Sequence, residues 1–530
     1  MPGFRHRKEG LNKNNGRDHP MTADVHSLRA SSSRRSHISH HGGFDSLDQE
    51  LDYTVPLAVV KGKIPDAVSG TFFRIGPGRN KIGDQEFGHW FDGDGMMHSV
   101  SFNDDGVVYR NRYVRTPKYL AETKANRIVK RSFGHNAPGG IRKNIGRLPA
   151  NCANTNLVYH GGKLLALWEG GRPWQLDPAT LDTIGEHDYD GKLGKFNAFS
   201  AHGKVNPRTG VYYNFGIRPS FSPKGALTGK GAIDLYRIAP SGDLVEKGAF
   251  EVDFLSFCHD FALTEHYMIF FQSPIAMTST VPWLAGLIPF DQAIAWRPEL
   301  GMKIYVVRTQ DFQVEKVFTV DDPFVAIHFS NAWESGDGRI EVDLTRYEDF
   351  SVNEQLRNVL HSTGETAAGR FMRYRLDMRS GNIEATEYRH ALAGEFPQWD
   401  LRYTTQPTPV MYAACMMSAD STFFDGVERI DLQTGDVISH DLGEGRYTSE
   451  AMHVAPREGD ENQEGWLVSM VYDACTHLSE VVVFDARTLE EVAVVPLQNH
   501  VPFGFHCGYS PQSFEKSSRK LKTRDRQEWN

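Results

Sequence analysis

The sequence lacks the marks of secreted, membrane-spanning and nucleic-acid-binding chains. Its five cysteines (Cys152, Cys258, Cys415, Cys475 and Cys507) in 530 residues form no C-x-x-C pair and, being odd in number, cannot all pair among themselves. That usage fits a reducing compartment and excludes a disulfide scaffold. Long apolar runs are missing too. The longest charge-free stretch, Tyr267 to Phe290, is broken by prolines at 274, 282 and 289 and holds Gln272 with several Ser and Thr. A spanning helix is more uniformly apolar. The basic N-terminal residues are not followed by the apolar core of a secretion signal. Nor is there a basic excess: 58 Lys and Arg against 67 Asp and Glu leave a charge of −9, a poor match for a phosphate backbone. The expectation is a soluble, cytosolic protein that does not bind nucleic acid.

Familiar catalytic signatures are absent as well. Gly76-Pro-Gly78 has Lys81 where a dinucleotide loop needs its third glycine. Asp92-Gly-Asp94-Gly lacks the remaining oxygen ligands of a calcium loop and reads as a hairpin turn. No G-x-S-x-G elbow and no H-E-x-x-H helix occur.

What the chain does contain is strand signal. Short runs rich in Val, Ile, Tyr and Phe, such as Leu164–Trp168, Val211–Phe215, Met268–Phe271, Trp466–Tyr472 and Val481–Phe484, alternate with Gly, Asp, Asn and Pro turns. A loose repeat runs through them, in which a strand ends at an Asp and a turn leads to the next strand: Asp177, Asp377, Asp431 and Asp485, with degenerate copies at Arg237 and Arg308. Anchors 54 to 71 residues apart suit four-stranded blades carrying insertions. The expected fold is all-β, a seven-bladed β-propeller with a loop and helical cap over one face. Residues 1–43, with eight Lys and Arg against three acids and six histidines, read as a disordered basic arm. Residues 44–516 read as the propeller, and 517–530 as a polar tail.

Four histidines stand in apolar or small surroundings, each in a different repeat unit: His202, His259, His328 and His506. A buried imidazole needs a partner for its ring nitrogens. Two readings remain open on the residues alone. Each ring is satisfied separately by a nearby carbonyl, or all four converge on the propeller axis, where neutral imidazoles make a metal site. Ligand histidines need outer acceptors to fix the tautomer, and Glu169, Glu395 and Glu450 lie in similarly apolar contexts.

At this point the chain resembles the carotenoid cleavage oxygenases. The likeness runs from about Val55 to Tyr509 and rests on Gly70-Thr-Phe-Phe-Arg-Ile-Gly-Pro-Gly78, His89-Trp-Phe-Asp-Gly-Asp-Gly-Met-Met-His98, Ala153-Asn-Thr-Asn156, Leu164 through Gly171, and the histidine and glutamate contexts above. The resemblance implies one Fe(II) held by His202, His259, His328 and His506. It implies supporting carboxylates at Glu169, Glu395 and Glu450, and Thr155 near the open coordination position. The implied reaction is O2-dependent cleavage of a conjugated C=C bond to two carbonyls, on an apolar polyene. Relatives that cleave stilbenes usually carry a lysine before the glutamate matching Glu169. Trp168 stands there instead, which favours a carotenoid or apocarotenoid over a phenol. Stilbene cleavage, isomerisation and a propeller that only binds partners are the competing readings. Trp283, Leu284, Leu287 and Ile288 fall where related enzymes carry an apolar patch at a tunnel mouth, implying peripheral membrane contact.

Overall fold

In the computed structural model the described residues are 38–514, apart from 221, 223, 226–228, 361–368, 390–392, 458 and 460–462. Most of both terminal tails read from the sequence lies outside them. The end of the N-terminal arm does not: His40–Phe44 forms a short 3-10 helix, and buried His40 stacks on Phe423 at 5.2 Å. The boundary drawn at residue 43 therefore falls inside a packed segment.

Seven antiparallel sheets form the blades of a propeller. Their innermost strands are, in blade order, His506–Ser510, Asn156–His160, Lys204–Val205, Ala262–Leu263, Val325–Ser335, Gly394–Gln398 and Ala451–Val454. The ring is closed from both directions. The last strand, His506–Ser510, pairs with Gly70–Arg79 in blade 1, and Lys61–Gly62 completes the outer edge of blade 7 against Glu491–Pro496. Alternating Val, Ile and Phe from adjacent blades interdigitate. Ile304 and Val306 of blade 4, for example, pack with Ile340, Val342 and Leu344 of blade 5, all fully buried.

Up-and-down topology gives the two faces different duties. Every blade begins its inner strand at one face, and the connections from second to third strand and from outer strand to the next blade return to that face. The long insertions use these connections, so the helices Pro117–Ala125, Ile141–Asn144, Thr280–Leu284 and Ser351–Asn358 all gather there as a cap. The opposite face carries the repeat anchors. Asp177, Asp377, Asp431 and Asp485 each close the hairpin between third and fourth strands, one carboxylate oxygen accepting the amides two and three residues on. Four residues past each anchor the chain turns left-handed, at Leu181, Gly381, Gly435 and Leu489.

Candidate metal centre

All four singled-out histidines lie at the cap-side ends of inner strands. His202 and His259 stand just ahead of Lys204–Val205 and Ala262–Leu263, and His506 opens its strand. His328 lies within Val325–Ser335, where the pairing with Arg339–Tyr347 slips between Ala326 and Phe329. Such a bulge re-aims a side chain that regular alternation would point elsewhere. The four rings converge: one ligand nitrogen from each lies within 4.8 Å of all the others, and every one of the residues is buried. The Nε2 atoms of His259 and His328 are 3.3 Å apart. Two imidazoles bound about 2.1 Å from one ion would stand roughly 3.0–3.4 Å apart.

Three of the rings are held by the three glutamates from sequence. Glu169, in the connection after Lys163–Leu167 of blade 2, meets His259 Nδ1. Glu395 Oε2 accepts from His328 Nδ1 at 2.6 Å, and Glu450 Oε1 from His506 Nδ1 at 3.1 Å. Each of the seven blades thus places one member of the set at the axis, blade 2 doing so with Glu169 from the connection after its second strand. Glu395 also sits at a pairing slip, between Glu395 and Gln398, and the next residue, Phe396, has a left-handed φ of 57°. That backbone costs about 1–3 kcal/mol and is tolerated where the surroundings over-determine it.

Two residues that the sequence reading passed over complete the support. The Tyr347 hydroxyl donates to Glu395 Oε1 at 2.6 Å, and Gln398 Nε2 donates to Glu450 Oε1 at 2.7 Å. Gln398, a polar residue closing the strand opened by Glu395's neighbour, was in principle findable. Tyr347 carries no local signal, since only the fold brings it to the axis.

The electrostatics favour the neutral form at His202 and His328 and the charged form at His259. Burial, then the other three imidazoles and Lys204, hold His202 well below the usual histidine range. Burial also lowers His328, against the pull of Glu395. His259 is opposite: burial is the largest single influence and lowers it, but Glu169, Asp260 and Glu395 together raise it above the usual histidine value. Glu395, which burial alone would raise, is brought below its ordinary value by His328, Tyr347 and the Phe396 amide, so it stays ionised. Among the described residues no glutamate meets His202, and its buried Nε2 has no hydrogen-bond partner. An orphaned lone pair there costs about 1–3 kcal/mol unless something binds it. A metal ion is the fitting occupant, and the donor set (four imidazole nitrogens, no thiolate) suits a first-row divalent ion.

The other expected site residues lie on or beside this face. Thr155 immediately precedes the inner strand of blade 2, its amide bonded to Leu167 O at 3.1 Å and its hydroxyl to Asn154 Oδ1 at 3.2 Å. Trp168 is half-buried in the same connection as Glu169. A Cβ on Gly170 would sit 2.6 Å from the Trp168 ring, so this glycine is what lets the loop fold back against the indole. The apolar patch needs correction. Leu284 and Leu287 are 42% and 59% exposed, and Ile288 is half-buried, but Trp283 is buried. Its indole covers the Arg131 guanidinium at 5.4 Å and meets Phe290 edge-on at 5.5 Å. Trp283 anchors the cap segment rather than facing solvent.

Fold and site together define a seven-bladed propeller with an axial four-histidine cluster able to hold a metal ion. Residues 44–511 match the family described as "Retinal pigment epithelial membrane protein". The chain belongs to that family, the carotenoid cleavage oxygenases. It is 31% identical over 475 residues to the apocarotenoid-15,15'-oxygenase of Synechocystis, covering 88% of this chain and 95% of that protein. To the carotenoid 9,10(9',10')-cleavage dioxygenase 1 of Arabidopsis thaliana it is 32% identical over 483 residues, with 84% and 85% covered. Its structure is similar to that of the cobalt-substituted Synechocystis oxygenase, with a TM-score of 0.79, 30% identity, and 88% and 98% of the two chains covered.

Proposed function

We propose that this protein is a non-haem Fe(II) dioxygenase that cleaves one conjugated C=C bond of a carotenoid or apocarotenoid, both atoms of O2 ending in two carbonyl products. The observation that carries the reading is the convergence of four buried imidazoles, three of them backed by carboxylates. Iron, when bound, would supply O2 activation, since four neutral ligands leave it a +2 charge and open positions. The protein's own part is positioning. Glu169, Glu395 and Glu450 fix ring orientation, and the burial of the cluster keeps water from it.

An apolar substrate is supported by the approach to the site. A file of aromatic rings runs from the cap inward: Trp283 to Phe290 at 5.5 Å, Phe290 to Phe133 at 5.6 Å, Phe133 to Phe91 at 5.7 Å and Phe91 to Phe505 at 5.4 Å. Phe505 is the residue before His506. Phe257 and Phe396 stack near the His259 and His328 rings. Such a wall recognises a polyene by contact area, and its phenylalanines offer a phenol hydroxyl no partner; Trp168 adds an indole to the loop of Glu169. The test is anaerobic reconstitution with Fe(II), then exposure to 18O2 with apocarotenals, β-carotene and resveratrol. The expected result is label in both carbonyl fragments of a polyene. Cleavage of resveratrol alone would overturn the substrate assignment.

The outer end of this file lies beside an exposed apolar patch, suited to a membrane that delivers such a substrate. Val281, Leu284 and Leu287 are 77%, 42% and 59% exposed, and Ile145 and Leu148, 59% and 54% exposed, belong to a segment tied to them by the Gly146 amide on Leu284 O at 2.8 Å. Exposed Arg142, Lys143 and Arg147 border them. No helix among the described residues is long and apolar enough to cross a membrane. The patch is read as a surface that dips into one leaflet. In liposome flotation, Leu284→Asp with Leu287→Asp should leave the protein in the pellet while the unsubstituted chain floats; equal flotation would refute the patch.

A further inference from the structure

The histidine-bearing segments of blades 3, 4 and 5 meet on one carboxylate that has no role in the site as described so far. Asp260 directly follows His259 and is 2% exposed. Its Oδ1 accepts the amide of Phe261 at 2.7 Å, and its Oδ2 accepts the amide of Phe329, the residue after His328, at 2.8 Å. Lys204, two residues past His202, brings Nζ to 3.2 Å from Asp260 and donates to the Phe329 carbonyl at 3.2 Å. Ser200 adds a stitch between blades 3 and 4, its hydroxyl accepting the His202 amide at 3.0 Å and donating to the His259 carbonyl at 3.4 Å. Three of the four imidazoles therefore hang from backbone segments joined at a single charged pair.

We propose that Asp260 and Lys204 are positioning residues that set the mutual spacing of the His202, His259 and His328 rings, and with it the affinity and geometry of the metal site; this rests on the metal reading given above. The bulge at His328 explains why such a tie is needed. The pairing slip between Ala326 and Phe329 frees local backbone from the regular ladder, and Asp260 and Lys204 take up the Phe329 amide and carbonyl. A second buried ion pair shows what an ordinary structural pair looks like here. Arg373 grips Asp343 with two bonds, at 2.8 and 2.9 Å, but the two residues face each other on adjacent strands of blade 5, and the further bond to Asp343 Oδ1, from the Tyr388 hydroxyl at 2.9 Å, comes from just past the end of that blade's own fourth strand. The Asp260 pair instead joins three blades at the axis. Its charge matters too: without the carboxylate, the Lys204 ammonium stands uncompensated beside a site that must accept a cation.

The test uses the full chain freed of metal and titrated with Co(II), following binding by competition with a chromophoric chelator and geometry by the visible ligand-field spectrum. Asp260→Asn should weaken Co(II) binding about 10–100-fold, the usual effect of losing an outer partner of a metal site, and should change the spectrum. The pair Asp260→Asn with Lys204→Met removes both charges, so it folds without a stranded cation and isolates geometry from charge. It should stay weak and spectrally altered, because one amide oxygen cannot serve both the Phe261 and Phe329 amides as the carboxylate does. Asp343→Asn, the control, should lower the melting temperature and leave Co(II) affinity and spectrum unchanged. Wild-type affinity and spectrum in the doubly substituted chain, or an equal loss in Asp343→Asn, would overturn the proposal. Failure of the unsubstituted protein to bind one Co(II) would instead refute the metal reading itself.

Discussion

On the face away from the cap, the hairpins between the third and fourth strands of blades 2, 5, 6 and 7 repeat one turn: an Asp, two amides on its carboxylate, and a left-handed residue four places on. On the cap face the described connections carry different insertions, helical in some and short in others. There the strands slip register at His328 and Glu395, Phe396 and Ala153 turn left-handed, and charged side chains are buried in pairs. Local constraints act on the one face and convergence on the axis acts on the other. The repeated turn needs only local chemistry, so any blade can carry it without regard to its neighbours. The cap face has to aim seven side chains from seven blades at one place, and local regularity is given up wherever it would point one of them wrongly.

The two faces are separable only if the axial site can be emptied without unfolding the blades. His259→Ala should take bound iron from about one equivalent to near none, with cleavage activity lost in the same step, as measured by metal analysis and product assay. The melting temperature of the metal-free protein should fall only slightly, because the Glu169 carboxylate that loses its partner is 22% exposed and water can replace the ring. An apoprotein that unfolds on losing this ring would mean that the cage is part of the fold's support and not a site mounted on it. A smaller effect is expected one layer out. Glu395→Gln leaves an amide where His328 Nδ1 and the Tyr347 hydroxyl both donate to a carboxylate. Iron affinity should fall about 10–100-fold, with Tyr347→Phe giving a weaker version of the same change. Equal affinity in Glu395→Gln would show that bulge geometry alone orients His328.

The same division decides what the sequence made legible. The far face could be read directly, because a turn is written in consecutive residues: Asp377 to Gly381 and Asp431 to Gly435 spell it in full. Even the two copies with Leu in place of Gly were recognisable from Asp177 and Asp485; Leu181 and Leu489 are wholly buried, and that burial offsets the left-handed strain of about 1–2 kcal/mol. The four histidines and three glutamates were legible by their apolar contexts together with a family likeness. Which glutamate serves which histidine was not, since Glu169 supports a ring 90 positions away across two blades. Tyr347, Asp260 and Lys204 were invisible for the same reason. Trp283 was misread because an apolar run looks alike whether it faces solvent or covers an arginine; the fold alone supplies Arg131.

The smallest expected effect sharpens the contrast from the regular side. In Asp431→Ala the turn loses the acceptor for the Gln433 and Thr434 amides, at 2.9 Å each. The site is mostly solvent-exposed, so water replaces part of what is lost and stability should drop by only about 0.5–1 kcal/mol. Metal content should stay at the wild-type level. The pH dependence identifies the cause. The Thr434 amide, followed by that of Gln433, holds the Asp431 carboxyl below the ordinary aspartate range. A folded-state pKa below the unfolded one means that the carboxylate's contribution is complete above the unfolded value, about 3.9, and is lost as the pH falls through the folded value. The melting temperatures of Asp431→Ala and the unsubstituted chain should therefore differ by a constant amount from pH 5 to pH 8 and converge below about pH 4. A gap that persists in acid would assign the turn's stability to its backbone shape, and the aspartate that marks each repeat would be a marker only.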